Sequence, residues 1–222
     1  MTHPDIRNSA SDCCAPHRQY HNDRNPAEFQ FDLDPEKRPE RAPLNEEWFP
    51  KIHSIWPLCT SKRIYDPMLG IRTIVIHATA GSSSIGAVSV MRAGAASFHW
   101  LVPDEDERAH GAFVWATAPE ARAAWHVKNT CAHPDVWEGR TRINHTSLGI
   151  EIVNRAVSKR AGDTDPYSPW QVAATARIAR YAWAKYPNLR HVVSHARLDP
   201  NRRTDPGAAF PWERFEAMVK NP

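Results

Sequence analysis

The chain has 222 residues, 41% of them hydrophobic and 24% charged, with a formal net charge of +3. This length suits a single domain with a sizeable core, and the composition is that of a soluble globular protein. No apolar run approaches the ~18 residues that a membrane-spanning helix needs. The sequence therefore predicts no transmembrane segment. It also has no basic tract interleaved with aromatic residues, so it predicts no nucleic-acid partner.

Two features bear on the compartment. The amino terminus, MTHPDIRNSASDCCAPHRQYH, lacks the apolar core of a secretory signal. It therefore predicts a cytoplasmic location, with a periplasmic protein or unconventional export as the alternative. The cysteines show no CxxC spacing and are expected to be free thiols. They are Cys13, Cys14, Cys59 and Cys131.

Residues 1–63 differ in composition from the rest of the chain. They are rich in Pro, Asp, Glu, Arg and Asn with scattered apolar residues, as in PAEFQFDLDPEKRPERAPLNEEWFP. Such a segment either wraps a domain or stays mobile, because it clusters too few apolar side chains to form a core of its own. We therefore expect a polar extension at 1–63 and the domain at 64–222.

Five short runs of β-branched and aromatic residues, each bounded by turn residues, predict strands. They are RTIVIH (Arg72–His77), SFHWLV (Ser97–Val102), AFVWAT (Ala112–Thr117), LGIEIV (Leu148–Val153) and HVVSH (His191–His195). Helical signals lie between them. The interleaving predicts an α/β fold, in which helices cover a mixed central β-sheet in a single domain.

The segment before the last strand carries the signals of one long helix. Ser168 is the expected N-cap, Pro169 the first helical residue and Gln171 the partner in a capping box, and Pro187 ends the helix near Tyr186. Its expected buried stripe is Val172, Ala176, Ala179 and Trp183. Two shorter helices are expected, at Ser84–Ala93 and Pro211–Lys220.

Three predicted strands carry a residue that a purely structural strand avoids. His77 and His195 end their strands, and Glu151 stands between two isoleucines. A buried carboxylate without a partner is costly, so Glu151 is either a functional group or a solvent-facing residue of a half-exposed strand. The histidines are likewise either ligands or capped strand ends.

The loop SHARLDPNRRTDPGAAFPW adds a third ligand type. Asp205 follows His195 by ten residues and is held by proline turns on both sides. If the loop folds back, His195 and Asp205 approach one point, and His77 on a neighbouring strand completes a site of two imidazoles and one carboxylate. Such a site leaves a fourth tetrahedral position open, as a catalytic zinc ion requires.

Five segments carry a resemblance to a known family. They are TIVIHATAG, SFHWLV, AAWHV, RTRINHTSLGIEIVN and SHARLDPNRRTDPGAAFPW. In this order they resemble the motifs of the zinc-dependent N-acetylmuramoyl-L-alanine amidases of the AmpD-like (amidase type 2) family, which is related to the peptidoglycan recognition proteins. The resemblance runs from about Arg72 to Trp212. It implies hydrolysis of the amide between N-acetylmuramic acid and L-alanine in peptidoglycan or its fragments, with Zn²⁺ as cofactor.

Carried over position by position, the resemblance implies that His77, His195 and Asp205 are the zinc ligands and that Glu151 is the general base. Arg203 falls at a basic position where the family more often has lysine, and there it would stabilise charge on the carbonyl oxygen. The alternative for Arg203 is an exposed loop cation or a clamp for a stem-peptide carboxylate.

Five other residues of these motifs lie outside the implied set of ligands and catalytic groups. Trp125 and His126 are expected in the substrate groove, where an aromatic face can pack on a sugar ring. Asn144 is expected to hydrogen-bond glycan or peptide amides, with a turn role as the alternative. His99 is expected in the core or behind the metal ligands. Phe98 stands where some relatives have tyrosine, and its ring cannot donate a hydrogen bond.

Two other classes of protein compete with an amidase. A non-catalytic peptidoglycan-binding module would have lost a zinc ligand, whereas all three predicted ligands and Glu151 are present. A metalloprotease acting on proteins would carry an HExxH helix, which the sequence lacks.

Overall fold

A computed structural model describes residues 25–41, 44–107, 113–155 and 165–221. Within these ranges the chain forms nine strands, five α-helices and six short 3-10 helices. The strands are β1 (Gln30–Asp32), β2 (Glu47–Trp48), β3 (Thr60–Lys62), β4 (Thr73–Ala78), β5 (Trp100–Val102), β6 (Trp115–Ala116), β7 (Arg122–Ala124), β8 (Ser147–Ile152) and β9 (His191–Ser194). The helices are α1 (Pro67–Gly70), α2 (Ser84–Arg92), α3 (Pro169–Lys185), α4 (His195–Leu198) and α5 (Trp212–Lys220).

Seven strands form one mixed sheet in the order β1-β9-β4-β8-β5-β6-β2, and β3 pairs with β7 in a separate ribbon. The central strands β9, β4, β8 and β5 run parallel, whereas β1 and β6 pair antiparallel with the two sides of this group. The predicted α/β class with a mixed sheet is therefore confirmed.

Both faces of the central strands are buried, which explains their nearly continuous apolar sequence. On β4, Ile74 and Ile76 pack beneath α3 and α5, whereas Val75 belongs to a second cluster formed with the segment 127–143. A third cluster packs α2 against β5 and β6. Because helices and loops cover both faces, we expect a functional site at the carboxyl ends of the parallel strands.

The helix α3 forms as the sequence predicts. The Ser168 hydroxyl accepts from the N–H of Gln171, whose side chain in turn accepts from the N–H of Ser168. The helix ends at Lys185, one residue before Tyr186. All four residues of the predicted stripe are buried: Val172, Ala176, Ala179 and Trp183. The two shorter helices are confirmed as α2 and α5.

Two predicted strands are shifted by one residue, to β4 and β8, and the other three are shorter than predicted. β5 begins at Trp100, because the backbone N–H of Ser97 donates to the carbonyl of Trp125 at 3.1 Å, outside the sheet. β9 ends at Ser194, because the Ser194 hydroxyl caps α4 by accepting from the N–H of Arg197 at 2.9 Å. Of the strand predicted at 112–117, only Trp115–Ala116 forms β6, and residue 112 lies outside the described ranges.

Residues that precede 64 contribute to the sheet. β1 pairs with β9, and β2 pairs with β6. Phe29 stacks on Trp212 with ring centroids 5.0 Å apart, and both rings are fully buried. The described part of the predicted extension therefore wraps the domain, which was one of its two alternatives, while residues 1–24 lie outside the described ranges. The boundary at 64 stays a prediction.

Two further expectations concern membrane-spanning helices and free cysteines, and both can be compared with the described residues. Among these residues, every helix is too short or too polar to cross a lipid bilayer. Cys59 and Cys131 are buried free thiols, as expected. Cys13 and Cys14 lie outside the described residues.

Candidate active site

The predicted ligand side chains meet where two neighbouring parallel strands end. His77 lies near the end of β4, and His195 begins α4 directly after β9. Asp205 reaches the same point from the loop that follows α4. Nδ1 of His77 lies 3.0 Å from Nδ1 of His195 and 3.3 Å from Oδ2 of Asp205, and the last two atoms are 3.0 Å apart. All three residues are buried.

Hydrogen bonds fold the Asp205 loop back onto the strand end. The N–H of Ala196 donates to the carbonyl of Asp205 at 3.0 Å. On the far side, the buried Tyr167 hydroxyl donates to the carbonyl of Pro206 at 2.6 Å. The loop is thus tied on both sides of Asp205, as its proline-rich sequence predicted.

This donor set fits a divalent ion such as zinc. Imidazole nitrogens and carboxylate oxygens are common zinc ligands, and ligand atoms placed tetrahedrally ~2.0 Å from an ion are ~3.3 Å apart. The three distances of 3.0, 3.0 and 3.3 Å are close to that value. Three facing lone-pair atoms also repel one another unless a cation or proton lies between them. The residues are therefore compatible with a three-ligand metal site that keeps a fourth position open.

Two of the three ligands, His77 and Asp205, have pKa values shifted towards the forms that bind a metal. Burial, reinforced by His195, lowers the pKa of His77 to about 4. Burial alone would raise the pKa of Asp205, but His195 and His77 overcome this effect and hold it below its usual range. Near pH 7 His77 is therefore neutral and Asp205 is ionised, and these are the forms that bind zinc.

Glu151 lies beside the three ligands. It is paired with His77 in the register of β4 and β8, is partly buried, and lines the same cleft. Burial and, second, the charge of Asp205 raise the pKa of Glu151 to about 8, against an opposing effect of Arg203. A carboxyl group that titrates near neutral pH can both accept and donate a proton. The geometry favours a functional Glu151 over a solvent-facing one.

The cleft above these residues has a volume of about 360 Å³. Phe98 and Val90 form an apolar side, and Arg202 and Arg203 contribute a basic side. Phe98 is buried, so it closes the cleft without offering a hydrogen-bond donor. The cleft therefore combines a candidate metal centre, a carboxyl group and cations in one concave surface.

His126 and His99 are both buried, but they have different neighbours. Nδ1 of His126 lies 3.0 Å from Nε2 of His77, directly behind the metal centre. Nδ1 of His99 accepts from the N–H of Gly149 at 2.9 Å, and its Nε2 lies 3.0 Å from the carbonyl of Arg122. His99 thus lies in the core. His126 lines the cleft, as expected, and it also contacts His77, one of the three predicted metal ligands.

Trp125 and Asn144 do not reach the cleft. The Trp125 ring donates to the Ser61 hydroxyl at 2.8 Å and is absent from the cleft lining. Asn144 is buried, and its amide accepts from the N–H of Val127 at 2.9 Å and donates to its carbonyl at 2.7 Å. Asn144 thus holds the segment around Val127 in place and does not cap a local turn, and substrate roles for Asn144 and Trp125 stay predictions.

Sequence reasoning missed Ser147 and Gly149, which lie on the same strand as Glu151. In SLGIEI, Leu148, Ile150 and Ile152 pack beneath α3. Because side chains alternate along a strand, Ser147, Gly149 and Glu151 lie on the opposite face, with His77. The alternation of apolar residues with small or polar ones was the signal that could have identified them.

The buried histidines make the metal-free protein sensitive to acid. The pKa of His77 is lowered to about 4 and that of His99 to about 3, in both cases chiefly by burial. Both therefore bind protons more tightly when unfolded, and stability that is present above pH 6.5 is lost as the pH falls towards these values. Glu151, with its raised pKa, acts in the opposite sense between pH 4.5 and 8.

We therefore expect the Glu151→Gln variant, with metal removed by a chelator, to lose about 2 to 4 kcal/mol of unfolding free energy between pH 7 and pH 5. Urea unfolding at the two pH values measures this. The wild type should lose less, because its Glu151 offsets part of the effect. Equal stability of the variant at both pH values would show that these histidines are not held neutral by burial.

The fold and the site together define a class. This is a mixed α/β protein with a candidate catalytic metal centre of two histidines and one aspartate, placed beside a glutamate where parallel strands end. A family model described as N-acetylmuramoyl-L-alanine amidase matches residues 67–208. The chain belongs to this amidase type 2 family.

Relatives of known name agree with this assignment. The chain is 36% identical over 149 residues to the N-acetylmuramoyl-L-alanine amidase AmiD of Escherichia coli K12, covering 65% of this chain and 52% of AmiD. It is 33% identical over 102 residues to the 1,6-anhydro-N-acetylmuramyl-L-alanine amidase AmpD of Enterobacter cloacae, covering 46% and 48%. The chain thus spans about half the length of these curated relatives.

Solved structures show the same fold. AmpDh3 of Pseudomonas aeruginosa superposes with a TM-score of 0.59 at 28% identity, over 67% of this chain and 59% of AmpDh3. AmiD of Escherichia coli, solved with the substrate anhydro-N-acetylmuramic acid-L-Ala-D-gamma-Glu-L-Lys, superposes with a TM-score of 0.55 at 33% identity, over 67% and 57%.

Proposed function

We propose that this chain hydrolyses the amide between N-acetylmuramic acid and L-alanine in peptidoglycan or its fragments, with Zn²⁺ held by His77, His195 and Asp205. One observation carries the proposal: the three ligand atoms lie within 4.8 Å of one another beside Glu151, in a cleft open to substrate. Membership in the amidase family and the substrate complex of AmiD support the reaction and the class of substrate.

Zinc, when bound, supplies Lewis acidity that makes water more acidic and polarises a carbonyl. The side chains of the protein supply the proton transfers and the charge. Glu151 accepts a proton from the attacking water and then delivers it to the alanine nitrogen, which is a poor leaving group unless it is protonated. Arg203, on the basic side of the cleft, stabilises the negative charge that develops on the carbonyl oxygen.

Muropeptide digestion followed by mass spectrometry tests the proposal. The expected products are free stem peptides and glycans without peptide, and a chelator should abolish their formation until Zn²⁺ is restored. Intact stem peptides in the presence of Zn²⁺ would instead favour a non-catalytic binding module. Cleavage of casein without cleavage of muropeptides would favour a metalloprotease.

The same assay addresses the substrate form and the compartment. A cytoplasmic enzyme, as predicted from the sequence, meets soluble anhydromuropeptides, whereas an exported one meets intact sacculi. We expect faster release from soluble anhydromuropeptides than from sacculi at equal concentrations of cleavable bonds. The reverse preference would favour an exported enzyme.

Replacing Arg203 separates its two possible roles. If it stabilises charge in the transition state, Arg203→Met should lower kcat ~10- to 100-fold with little change in KM, and Arg203→Lys should retain most activity. Steady-state kinetics on a soluble muropeptide measure both constants. Arg140→Met is the matched control, because Arg140 is exposed, lies outside the cleft lining and pairs with Glu138 at 3.1 Å. A raised KM with unchanged kcat would make Arg203 a clamp for a stem-peptide carboxylate.

A further inference from the structure

A chain of hydrogen bonds runs from the candidate metal centre into the core. Nε2 of His77, the ring nitrogen turned away from the centre, lies 3.0 Å from Nδ1 of His126. Nε2 of His126 lies 3.0 Å from the Ser147 hydroxyl, which lies 2.7 Å from the carbonyl oxygen of Ile143. All four residues are buried, so water does not compete for these bonds.

The inner end of this chain fixes the direction of every bond. A backbone carbonyl can only accept, so the single hydroxyl proton of Ser147 goes to Ile143. The Ser147 oxygen then accepts from the N–H at Nε2 of His126. Neutral His126 has its lone pair at Nδ1 and accepts from the N–H at Nε2 of His77. The lone pair of His77 therefore lies at Nδ1, the atom that faces His195 and Asp205.

The His126 ring has little freedom to leave this position. It lies directly over Gly149, where a Cβ atom would come within 2.7 Å of Cγ of His126. The amide oxygen of Asn144 accepts from the backbone N–H of Val127 at 2.9 Å and holds the adjoining chain. The rings of His77 and His126 are nearly perpendicular, at 88°, with centroids 5.1 Å apart. Packing and backbone bonds thus keep the ring aligned with His77.

We propose that His126 and Ser147 are positioning residues, which hold His77 in the tautomer whose Nδ1 lone pair is directed at a divalent metal ion. The inference rests on the proposed metal site and adds two residues that do not bind the ion themselves. With the other tautomer a proton would occupy Nδ1 and block coordination. Outer hydrogen-bond partners of this kind typically change metal affinity by ~10- to 100-fold.

Two variants of nearly equal size test the role of His126. His126→Asn keeps an acceptor oxygen near the position of Nδ1, whereas His126→Leu has the same shape without an acceptor. We expect His126→Leu to weaken Zn²⁺ binding by ~10- to 100-fold and His126→Asn to weaken it by less than ~5-fold. The Zn²⁺ dissociation constant is measured by competition with a chromophoric chelator. The tautomer of His77 in the metal-free protein is read by long-range ¹H–¹⁵N NMR.

Ser147→Ala provides a second, milder test. It removes only the hydroxyl that anchors His126, and we expect ~10-fold weaker Zn²⁺ binding and a mixture of His77 tautomers. Ser147→Thr retains the hydroxyl and is the matched control. If His126→Leu fails to fold by circular dichroism, the Ser147 pair decides the question.

The outcomes separate this inference from the proposed function. A folded wild type that binds no Zn²⁺ would overturn the metal site itself and the inference with it. A wild type that binds Zn²⁺, together with His126→Leu and Ser147→Ala variants of unchanged affinity and tautomer, would overturn the positioning role alone. Equal weakening by His126→Asn and His126→Leu would also contradict it, because the acceptor would then be irrelevant. A raised KM with unchanged Zn²⁺ affinity would place His126 in the substrate groove instead.

Discussion

Replacing Glu151 by glutamine is expected to lower the turnover of muropeptides by at least ~10²-fold while Zn²⁺ binding is retained. Glutamine preserves the shape of the side chain but cannot take a proton from water or deliver one to the leaving nitrogen. Metal binding should survive, because the three ligand atoms belong to His77, His195 and Asp205. Turnover is measured by chromatography of the released peptide, and Zn²⁺ content by elemental analysis of the purified variant.

A matched control comes from a carboxyl group outside the cleft. Glu138 is exposed and pairs with Arg140 at 3.1 Å, so Glu138→Gln should leave turnover unchanged. Glu151→Asp shortens the side chain by one methylene, and its turnover of muropeptides should lie between those of the wild type and Glu151→Gln. Retention of full activity by Glu151→Gln would remove this residue from proton transfer. Loss of Zn²⁺ together with activity would show that Glu151 acts on the ion rather than on the substrate.

We also expect the Asp205→Asn variant to lose most of its affinity for Zn²⁺. The amide has the same shape as the carboxylate but lacks its charge, and it leaves His77 and His195 as a two-ligand site. Removing even an outer partner costs up to ~100-fold in metal affinity, so removing a ligand should cost at least that much. Turnover should fall in parallel at limiting Zn²⁺.

Thermal unfolding reports the same loss without an activity assay. Zn²⁺ at ~100 times its dissociation constant should stabilise the wild type by about 2.7 kcal/mol, and the same concentration should leave Asp205→Asn nearly unchanged. Asp135→Asn is the control, since Asp135 is exposed and its partner at 2.9 Å is Arg197. Equal stabilisation of Asp205→Asn and the wild type by Zn²⁺ would exclude Asp205 from the ligand set.

The sequence predicted those parts of the fold that local signals specify. The capping box at Ser168 and the apolar stripe of α3 are properties of neighbouring residues, and they formed as expected. The contribution of β1 was missed. Phe29, Phe31 and Leu33 alternate with polar residues and are buried, which is a strand signal, but it is short and lies in a polar segment. The pairing with β9, about 160 residues away, could not be predicted from neighbouring residues.

The site was predicted unevenly for a similar reason. His77, His195 and Asp205 could be singled out because two predicted strands end in histidine and an aspartate follows in a proline-held loop, and the resemblance to the amidase family then assigned them as ligands. The positions of Trp125, His126 and Asn144 depend on how the segment 125–144 folds over the sheet, and no local periodicity specifies that path. The alternation in SLGIEI could have placed Ser147 and Gly149 on the face of Glu151, but only the structure shows that both contact His126.

Anomalous diffraction from crystals grown with Zn²⁺, recorded on both sides of the zinc absorption edge, would locate the metal ion on the chain. We expect one strong peak per chain, ~2.0 to 2.2 Å from Nδ1 of His77, Nδ1 of His195 and a carboxylate oxygen of Asp205. A zinc peak elsewhere on the chain, with these three side chains free of metal, would contradict this expectation.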